Sequence, residues 1–158
     1  MKLIQSIVAE VAQMVTIRRD IHAHPELCFD ERRTADLVAD RLTAWGIPIH
    51  RGLATTGVVG IVHGRDGGAC GRAIGLRADM DALPLQELNT FSHASQAAGK
   101  MHACGHDGHT AMLLSAAHHL SASRDFDGTV YLIFQPAEED GGGARVMIEQ
   151  GLFKRFPM

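Results

Sequence analysis

The chain has 158 residues and a formal net charge of −3, and charged residues make up 21% of it. These values are typical of a globular protein with one domain and a buried core. They give no indication of binding to nucleic acid or to an anionic membrane surface. No run approaches the ~18–20 apolar residues that a membrane span needs. The three cysteines do not suggest a disulfide framework. We therefore expect a cytoplasmic protein that binds neither nucleic acid nor a membrane.

The N-terminal part of the chain predicts two helices. Apolar residues recur at helical spacing from residue 3 to about 22, and His24-Pro25 should end this helix because a residue before proline avoids helical backbone. The stretch lacks a small-residue cleavage site, so it does not resemble a signal peptide. Asp30 is a candidate cap for the second helix, and Gly46 is the expected end of that helix.

Strands are predicted next, because the segments that follow are short, apolar and partly β-branched. They are residues 47–51, 57–62 and 73–77. The hydrophobic pattern then disappears over residues 85–100, which indicates a long loop; long loops in compact domains are often functional.

The C-terminal part predicts a helix, a strand and a last helix. Asp107 is the expected cap of a helix at 111–120. The run 129–134 (TVYLIF) is typical of a strand that is buried on both faces. Asp140 is a candidate cap for the last helix, which should end at Gly151, with no further element after it.

This order of helices and strands indicates an α/β fold, a layered αβα domain with a central mostly parallel or mixed sheet. In open α/β sheets, ligands bind beyond the carboxyl ends of the strands. Two pairs of acidic residues follow predicted strands, Asp79 with Asp81 and Glu138 with Glu139. The sequence therefore predicts a site at this edge of the sheet.

The segment 101–110 (MHACGHDGHT) contains the clearest metal-binding pattern. Cys104 and His106 are one residue apart, and in an extended segment such side chains point to the same side. A soft sulfur and an imidazole nitrogen could then bind one metal ion. Two other interpretations of Cys104 remain open at this point. It could be a small buried hydrophobic residue, or a nucleophilic thiolate that His106 activates.

The acidic segment after the predicted strand at 129–134 could complete such a site. Adjacent carboxylates point in different directions, so one of Glu138 and Glu139 could bind a metal while its neighbour faces a water molecule and moves a proton. Solvated charges at a helix N-terminus are the alternative. Asp79 and Asp81 could orient a metal-binding histidine or simply cap a loop, and His109 would share a helix face with His106.

Five motifs, in this order along the chain, carry a resemblance to a known family. They are 18–27 (RRDIHAHPEL), 56–60 (TGVVG), 77–84 (RADMDALP), 101–110 (MHACGHDGHT) and 134–139 (FQPAEE). The chain resembles the zinc-peptidase-type amidohydrolases, among them hippurate hydrolases, N-acyl-amino-acid deacetylases and plant auxin-conjugate hydrolases. The resemblance extends from about residue 18 to the last residue.

The resemblance implies a metal-dependent amidohydrolase that cleaves the amide bond of small N-acyl amino acids. It implies a divalent metal, two ions per complete site, which could be zinc, manganese, nickel or cobalt. By motif, Cys104, His106 and Glu139 would be metal ligands and Glu138 the catalytic general base. It assigns no firm role to Asp79, Asp81 or His109.

Family members are much longer, with two further histidine ligands and a lid domain used in dimer formation. By this resemblance, residues 1–158 are the N-terminal portion of a catalytic domain whose sheet is incomplete at the C-terminus, and this chain is weakly active or inactive. The resemblance leaves homo-oligomer formation open. Two alternatives remain: a non-catalytic metal-binding or interaction fragment, and a thiol hydrolase that uses Cys104 and His106.

Overall fold

The computed structural model of the protein describes residues 4–158. Its elements, in chain order, are α1 (Gln5–Ala9), α2 (Val11–Ala23), α3 (Arg32–Ala44), β1 (Ile49–Leu53), β2 (Gly57–His63), β3 (Ala73–Asp79), α4 (His106–Ser123), β4 (Thr129–Gln135), α5 (Gly143–Glu149) and α6 (Leu152–Arg155). None of the helices described has the length and apolar character that crossing a membrane requires. Residues 85–100 form neither helix nor strand, as predicted.

The four strands form one mixed sheet in the order β1-β2-β4-β3. β4 is antiparallel to β2 and parallel to β3. The prediction of an α/β fold with a mostly parallel or mixed sheet is confirmed, and the sheet is mixed. In the parallel pair, Asp79 lies opposite Gln135. The carboxyl ends of β3 and β4 therefore meet at the same edge, which places the acidic residues after each strand close together.

Both faces of the sheet are covered by helices, which gives three αβα layers. On one face, Leu132 and Phe134 of β4 pack in a core with residues of α2, α3 and α4. On the other face, Ile133 of β4 packs with Met147 of α5 and Leu152 of α6. Successive residues of a strand point to opposite faces, so the apolar run at 129–134 supplies both cores.

The N-terminal helix is interrupted, where the sequence predicts one helix from residue 3 to about 22. Residue 3 lies outside the described residues, and α1 and α2 are separated by a turn at Glu10. The amide of Glu10 bonds the carbonyl of Ile7, three residues back, at 3.1 Å. Its carboxylate lies 2.8 Å from the ring of His118 on α4. This contact is to a helix distant in sequence, so the spacing of apolar residues could not predict it.

Asp30 and Asp107 do not cap helices, so both of these predictions are wrong. Helix α3 begins at Arg32, and it is the carboxylate of Glu26 that accepts hydrogen bonds from the amides of Arg33 and Thr34, at 2.9 and 2.8 Å. Helix α4 begins earlier than predicted, at His106, and Asp107 lies in its first turn.

The C-terminal end also differs from the prediction. The N-cap of α5 is Gly142 rather than Asp140, and Gly151 is the N-cap of an additional short helix, α6, rather than the end of the last one. The chain packs tightly where α5 begins. A Cβ at Gly143 would lie 1.8 Å from the carbonyl oxygen of Pro136, so only glycine fits there.

Candidate metal centre

The predicted site residues converge where β3, β4 and α4 meet. Cys104 lies on the loop before α4, His106 is the first residue of α4, and Glu139 follows β4. One possible ligand atom from each of these three side chains lies within 4.8 Å of the other two. The structure therefore brings together the sulfur, nitrogen and oxygen donors that the sequence nominated.

His106 is held so that one ring nitrogen faces this cluster. Its Nδ1 donates to the backbone carbonyl of Asp81 at 2.8 Å and lies 3.2 Å from the Asp81 carboxylate. With its proton on Nδ1, the neutral ring presents the lone pair of Nε2. Burial favours the neutral ring, but the hydrogen bond to Asp81 and the charge of Asp79 outweigh it and raise the pKa of His106.

Three carboxylates surround Nε2 of His106. One carboxylate oxygen of Asp79 lies 3.6 Å from this nitrogen, and one oxygen each of Glu138 and Glu139 lies 3.7 Å from it. Oε1 of Glu139 is buried and has no hydrogen-bond partner among residues 4–158. A buried, unpartnered carboxylate oxygen beside other acids is costly without a cation. This arrangement fits a divalent metal ion.

The Cys104 thiol is exposed and adds a soft donor to the cluster. The neighbouring Glu139 carboxylate, together with desolvation and the charges of Glu138 and Asp79, raises the pKa of the thiol. A nucleophilic cysteine requires the opposite, a lowered pKa that populates the thiolate. The electrostatics therefore argue against a thiol hydrolase built on Cys104 and His106.

Asp81 connects two parts of the cluster. Besides contacting His106, its carboxylate accepts hydrogen bonds from the amide of Glu139 at 3.0 Å and from the thiol of Cys28 at 3.4 Å. Burial opposes ionisation, but these hydrogen bonds outweigh it and lower the pKa of Asp81 to about 2. The carboxylate therefore helps to orient one candidate ligand, His106, and to position the backbone of another, Glu139.

Asp79 lies on the other side of His106. Its Oδ1 accepts a hydrogen bond from Nδ1 of His109 at 2.7 Å, and its Oδ2 contacts the Arg77 guanidinium at 2.8 Å. Asp79, His106 and His109 also place one possible ligand atom each within 4.8 Å of the others. The sequence left the roles of Asp79 and His109 open.

Sequence reasoning missed two supporting residues. The buried carboxylate of Glu31 accepts hydrogen bonds from the amide of Ala137 at 2.8 Å and the hydroxyl of Thr56 at 2.6 Å. It thereby fixes the segment that leads to Glu138 and Glu139. Cys28 appeared incidental, but its thiol contacts Asp81. Glu31 stands among other charged residues, so the local sequence gives no signal that it is buried.

A second polar network supports the N-terminus of α4. His22 lies between two carboxylates, with Nδ1 2.9 Å from Asp107 and Nε2 3.2 Å from Glu87. Arg18 also donates to Asp107, at 3.1 Å. The network links α2, the loop at 85–100 and the residue directly after His106.

Fold and donor set together define an α/β domain with a candidate metal centre at its strand ends. Residues 75–158 match the family model described as peptidase family M20/M25/M40. The match covers more than half of the chain, and the chain belongs to this family. The resemblance inferred from the five motifs is thereby confirmed.

Similar proteins agree with this assignment. The chain is 50% identical over 156 residues to a hippurate hydrolase of Campylobacter jejuni, covering 99% of this chain and 40% of that protein. It is 45% identical over 152 residues to an N-acyl-L-amino acid amidohydrolase of Geobacillus stearothermophilus, covering 94% of this chain and 40% of that protein. The chain thus spans about two fifths of the length of these relatives.

Solved structures show the same fold. A Bacillus subtilis protein described as a dinuclear metal-binding peptidase of the M20 family superimposes with a TM-score of 0.86 at 42% sequence identity. The superposition covers 92% of this chain and 40% of that one. The relatives and the family together support a divalent metal as the cofactor of this class of protein.

Proposed function

We propose that the chain contributes to the active site of a metal-dependent amidohydrolase that cleaves the amide bond of small N-acyl amino acids. The observation that carries the proposal is the convergence of Cys104, His106 and Glu139 at the strand ends, with Glu138 beside them. The relatives named as hippurate hydrolase and N-acyl-L-amino acid amidohydrolase support this substrate class.

Three side chains would hold the metal: Cys104 through Sγ, His106 through Nε2 and Glu139 through Oε1. Three protein ligands leave a coordination position open, which is the pattern of catalytic rather than structural zinc sites. When bound, a divalent ion polarises a substrate carbonyl and lowers the pKa of a water molecule. Thiolate and imidazole together favour zinc; manganese, nickel and cobalt are the alternatives.

Glu138 would act as the general base. Its side chain is 40% exposed, whereas that of the neighbouring Glu139 is 18% exposed. Oε2 of Glu138 lies 3.7 Å from Nε2 of His106, close enough to face a water molecule in the cluster. The Glu138 carboxylate takes a proton from the attacking water and passes it to the nitrogen of the departing amino acid.

The substitution that tests this role is Glu138→Gln, with Glu149→Gln as the matched control. Glu149 is an exposed carboxylate on α5 whose only ion pair among the described residues is with Arg145. The purified chain is loaded with zinc or manganese, and hydrolysis of benzoylglycine is measured together with metal content. We expect Glu138→Gln to retain metal and lose hydrolysis, and Glu149→Gln to change neither.

Two outcomes would contradict the proposal. Unchanged turnover in Glu138→Gln would remove Glu138 from the role of general base. A metal content that neither Cys104→Ser nor His106→Gln lowers would remove these two residues from the role of metal ligands.

A further inference from the structure

The residues around His106 form two overlapping sets of donors. We call Cys104, His106 and Glu139 the sulfur seat, and Asp79, His106 and His109 the nitrogen seat; in each, the possible ligand atoms lie within 4.8 Å of one another. We propose that the nitrogen seat is a second metal position, which takes a divalent ion in place of the sulfur seat when the Cys104 thiol is blocked or absent.

In the nitrogen seat, one distance between possible ligand atoms already matches that around a bound ion, and a second is that of a hydrogen bond. Zinc lies about 2.0–2.2 Å from nitrogen and oxygen ligands, so neighbouring ligand atoms are ~3–3.6 Å apart. Oδ1 of Asp79 is 3.6 Å from Nε2 of His106 and 2.7 Å from Nδ1 of His109. A small movement of His109 away from Asp79 would open the space that an ion requires.

Asp79 is fixed in the orientation that this seat needs. Arg77 contacts Oδ2 of Asp79 at 2.8 Å, which leaves Oδ1 facing both histidines. The guanidinium is itself held, because its Nε donates to the side-chain oxygen of Gln135 at 2.8 Å. The positive charge of Arg77 also weakens the attraction of Asp79 for a cation. The nitrogen seat is therefore the weaker of the two.

The two seats exclude each other because they share one atom. Nδ1 of His106 is occupied by its hydrogen bond to the Asp81 carbonyl, so only Nε2 can bind a metal. One nitrogen lone pair binds one ion. An ion in the nitrogen seat therefore removes His106 as a ligand from the sulfur seat. An ion in the sulfur seat likewise removes His106 as a ligand from the nitrogen seat.

The donor chemistry of the seats differs. Thiolate selects softer ions, whereas two imidazoles and a carboxylate also suit cobalt, nickel and manganese. Alkylation or oxidation of the exposed Cys104 would remove the sulfur donor but leave all three donors of the nitrogen seat intact. The metal would then be retained, more weakly, in a different position.

Cobalt(II) titration of single and double variants tests this inference. A thiolate ligand gives cobalt a charge-transfer absorption band that nitrogen and oxygen ligands do not. We expect the unsubstituted chain to show the band. Cys104→Ser should lose it yet still bind cobalt, and His109→Gln alone should keep it.

The double variants identify which residues hold the ion that remains. Cys104→Ser/His109→Gln should bind cobalt at least ~10-fold more weakly than Cys104→Ser. Cys104→Ser/Glu139→Gln should bind it as well as Cys104→Ser does. The matched control is Cys104→Ser/His119→Gln, because His119 lies on the same helix and contacts Ser6 instead. This control should match Cys104→Ser. Thermal unfolding of each variant verifies that it is folded.

The inference would be overturned if Cys104→Ser bound cobalt no better than its His109→Gln double variant, or if Glu139→Gln removed the remaining binding instead. It rests on the proposed metal centre because both seats use His106. The two can nevertheless fail separately. A missing thiolate band in the unsubstituted chain would refute the sulfur seat, whereas the affinities of Cys104→Ser and its double variants decide on the nitrogen seat.

Discussion

Asp81 contacts Nδ1 of His106 twice, through its backbone carbonyl at 2.8 Å and through its carboxylate at 3.2 Å. The same carboxylate accepts the amide hydrogen of Glu139 at 3.0 Å. One residue thus determines which nitrogen of His106 faces the cluster and where the backbone of Glu139 lies. Second-layer carboxylates of this kind increase metal affinity by fixing the ligand before the ion arrives.

Asp81→Asn should weaken zinc binding. The amide cannot accept hydrogen bonds at its nitrogen, so either Nδ1 of His106 loses its contact to the side chain, keeping only the backbone carbonyl, or the amide of Glu139 loses its acceptor. We expect the zinc dissociation constant to rise by roughly 10- to 100-fold and the free energy of unfolding to fall by about 1–3 kcal/mol. Competition with a chromophoric chelator measures the first quantity, and urea unfolding measures the second.

Asp125→Asn is the control for that experiment, because the Asp125 side chain is 78% exposed and pairs only with Arg65 among the described residues. Equal zinc affinities for the Asp81 and Asp125 variants would show that Asp81 does not position the ligands.

Glu31→Gln should alter how stability depends on pH. Burial outweighs the hydrogen bonds to Glu31 and raises its pKa above the ordinary value of 4.5. The folded state therefore holds this proton to higher pH than the unfolded state does. The stability that the group contributes is present below the unfolded pKa and is lost as pH rises through the folded pKa.

Glutamine does not titrate in this range. As pH rises above 4.5, the free energy of unfolding of the unsubstituted chain should fall relative to that of Glu31→Gln. Chemical unfolding at several pH values measures the difference, and parallel curves would contradict it. Glu31→Ala, which removes the acceptor for the amides of Phe29 and Ala137, should cost at least ~2 kcal/mol at any pH.

Glu87→Gln should loosen the loop at 85–100. Burial raises the pKa of Glu87, but hydrogen bonds from the amide of Ser95, the side chain of Asn89 and His22 outweigh it, and the net pKa is lowered. The substitution places an amide group where two oxygens accept hydrogen bonds. We expect faster hydrogen exchange at the Ser95 amide while amides in β4 keep their protection. Unchanged exchange at Ser95 would mean that Glu87 does not anchor the loop.

Two glycine substitutions should differ clearly in their effect on stability. A Cβ at Gly143 would lie 1.8 Å from the Pro136 carbonyl oxygen, whereas one at Gly108 would lie 3.6 Å from Arg18, an ordinary contact. Gly143→Ala should destabilise the chain by at least ~2 kcal/mol. Gly108→Ala, within helix α4, should be neutral or stabilise it by up to ~1 kcal/mol. Midpoints of thermal unfolding compare the two, and equal midpoints would contradict the packing described here.

The sequence predicts the sheet well and the helix ends poorly, for a physical reason. A buried strand such as Thr129–Gln135 consists mostly of apolar residues in a continuous run, so the strand can be predicted from the sequence. Helix caps depend on which side chain reaches the exposed amides. Asp107 has the right chemistry for a cap, but α4 begins one residue before it, at His106, and one oxygen of its carboxylate contacts His22 and Arg18, which are distant in sequence.

The candidate site likewise has a part that local sequence predicts and a part that it does not. Cys104 and His106 share one short segment, and Glu139 follows a clear strand, so local sequence is enough to nominate them as ligands. The pairing of Asp79 with His109 joins the end of β3 to the first turns of α4. Glu31 reaches Ala137 from the N-terminal end of α3. Such contacts join residues that are distant in sequence and form only when the helices pack on the sheet, so the local sequence pattern does not predict them.

The central claim is that a sulfur, a nitrogen and a carboxylate oxygen hold one ion at the strand ends. X-ray absorption spectroscopy of the zinc-loaded chain tests it most directly. We expect one sulfur at ~2.3 Å together with nitrogen and oxygen at ~2.0–2.2 Å, and loss of the sulfur in Cys104→Ser. A spectrum of the unsubstituted chain with only nitrogen and oxygen around zinc would contradict the claim.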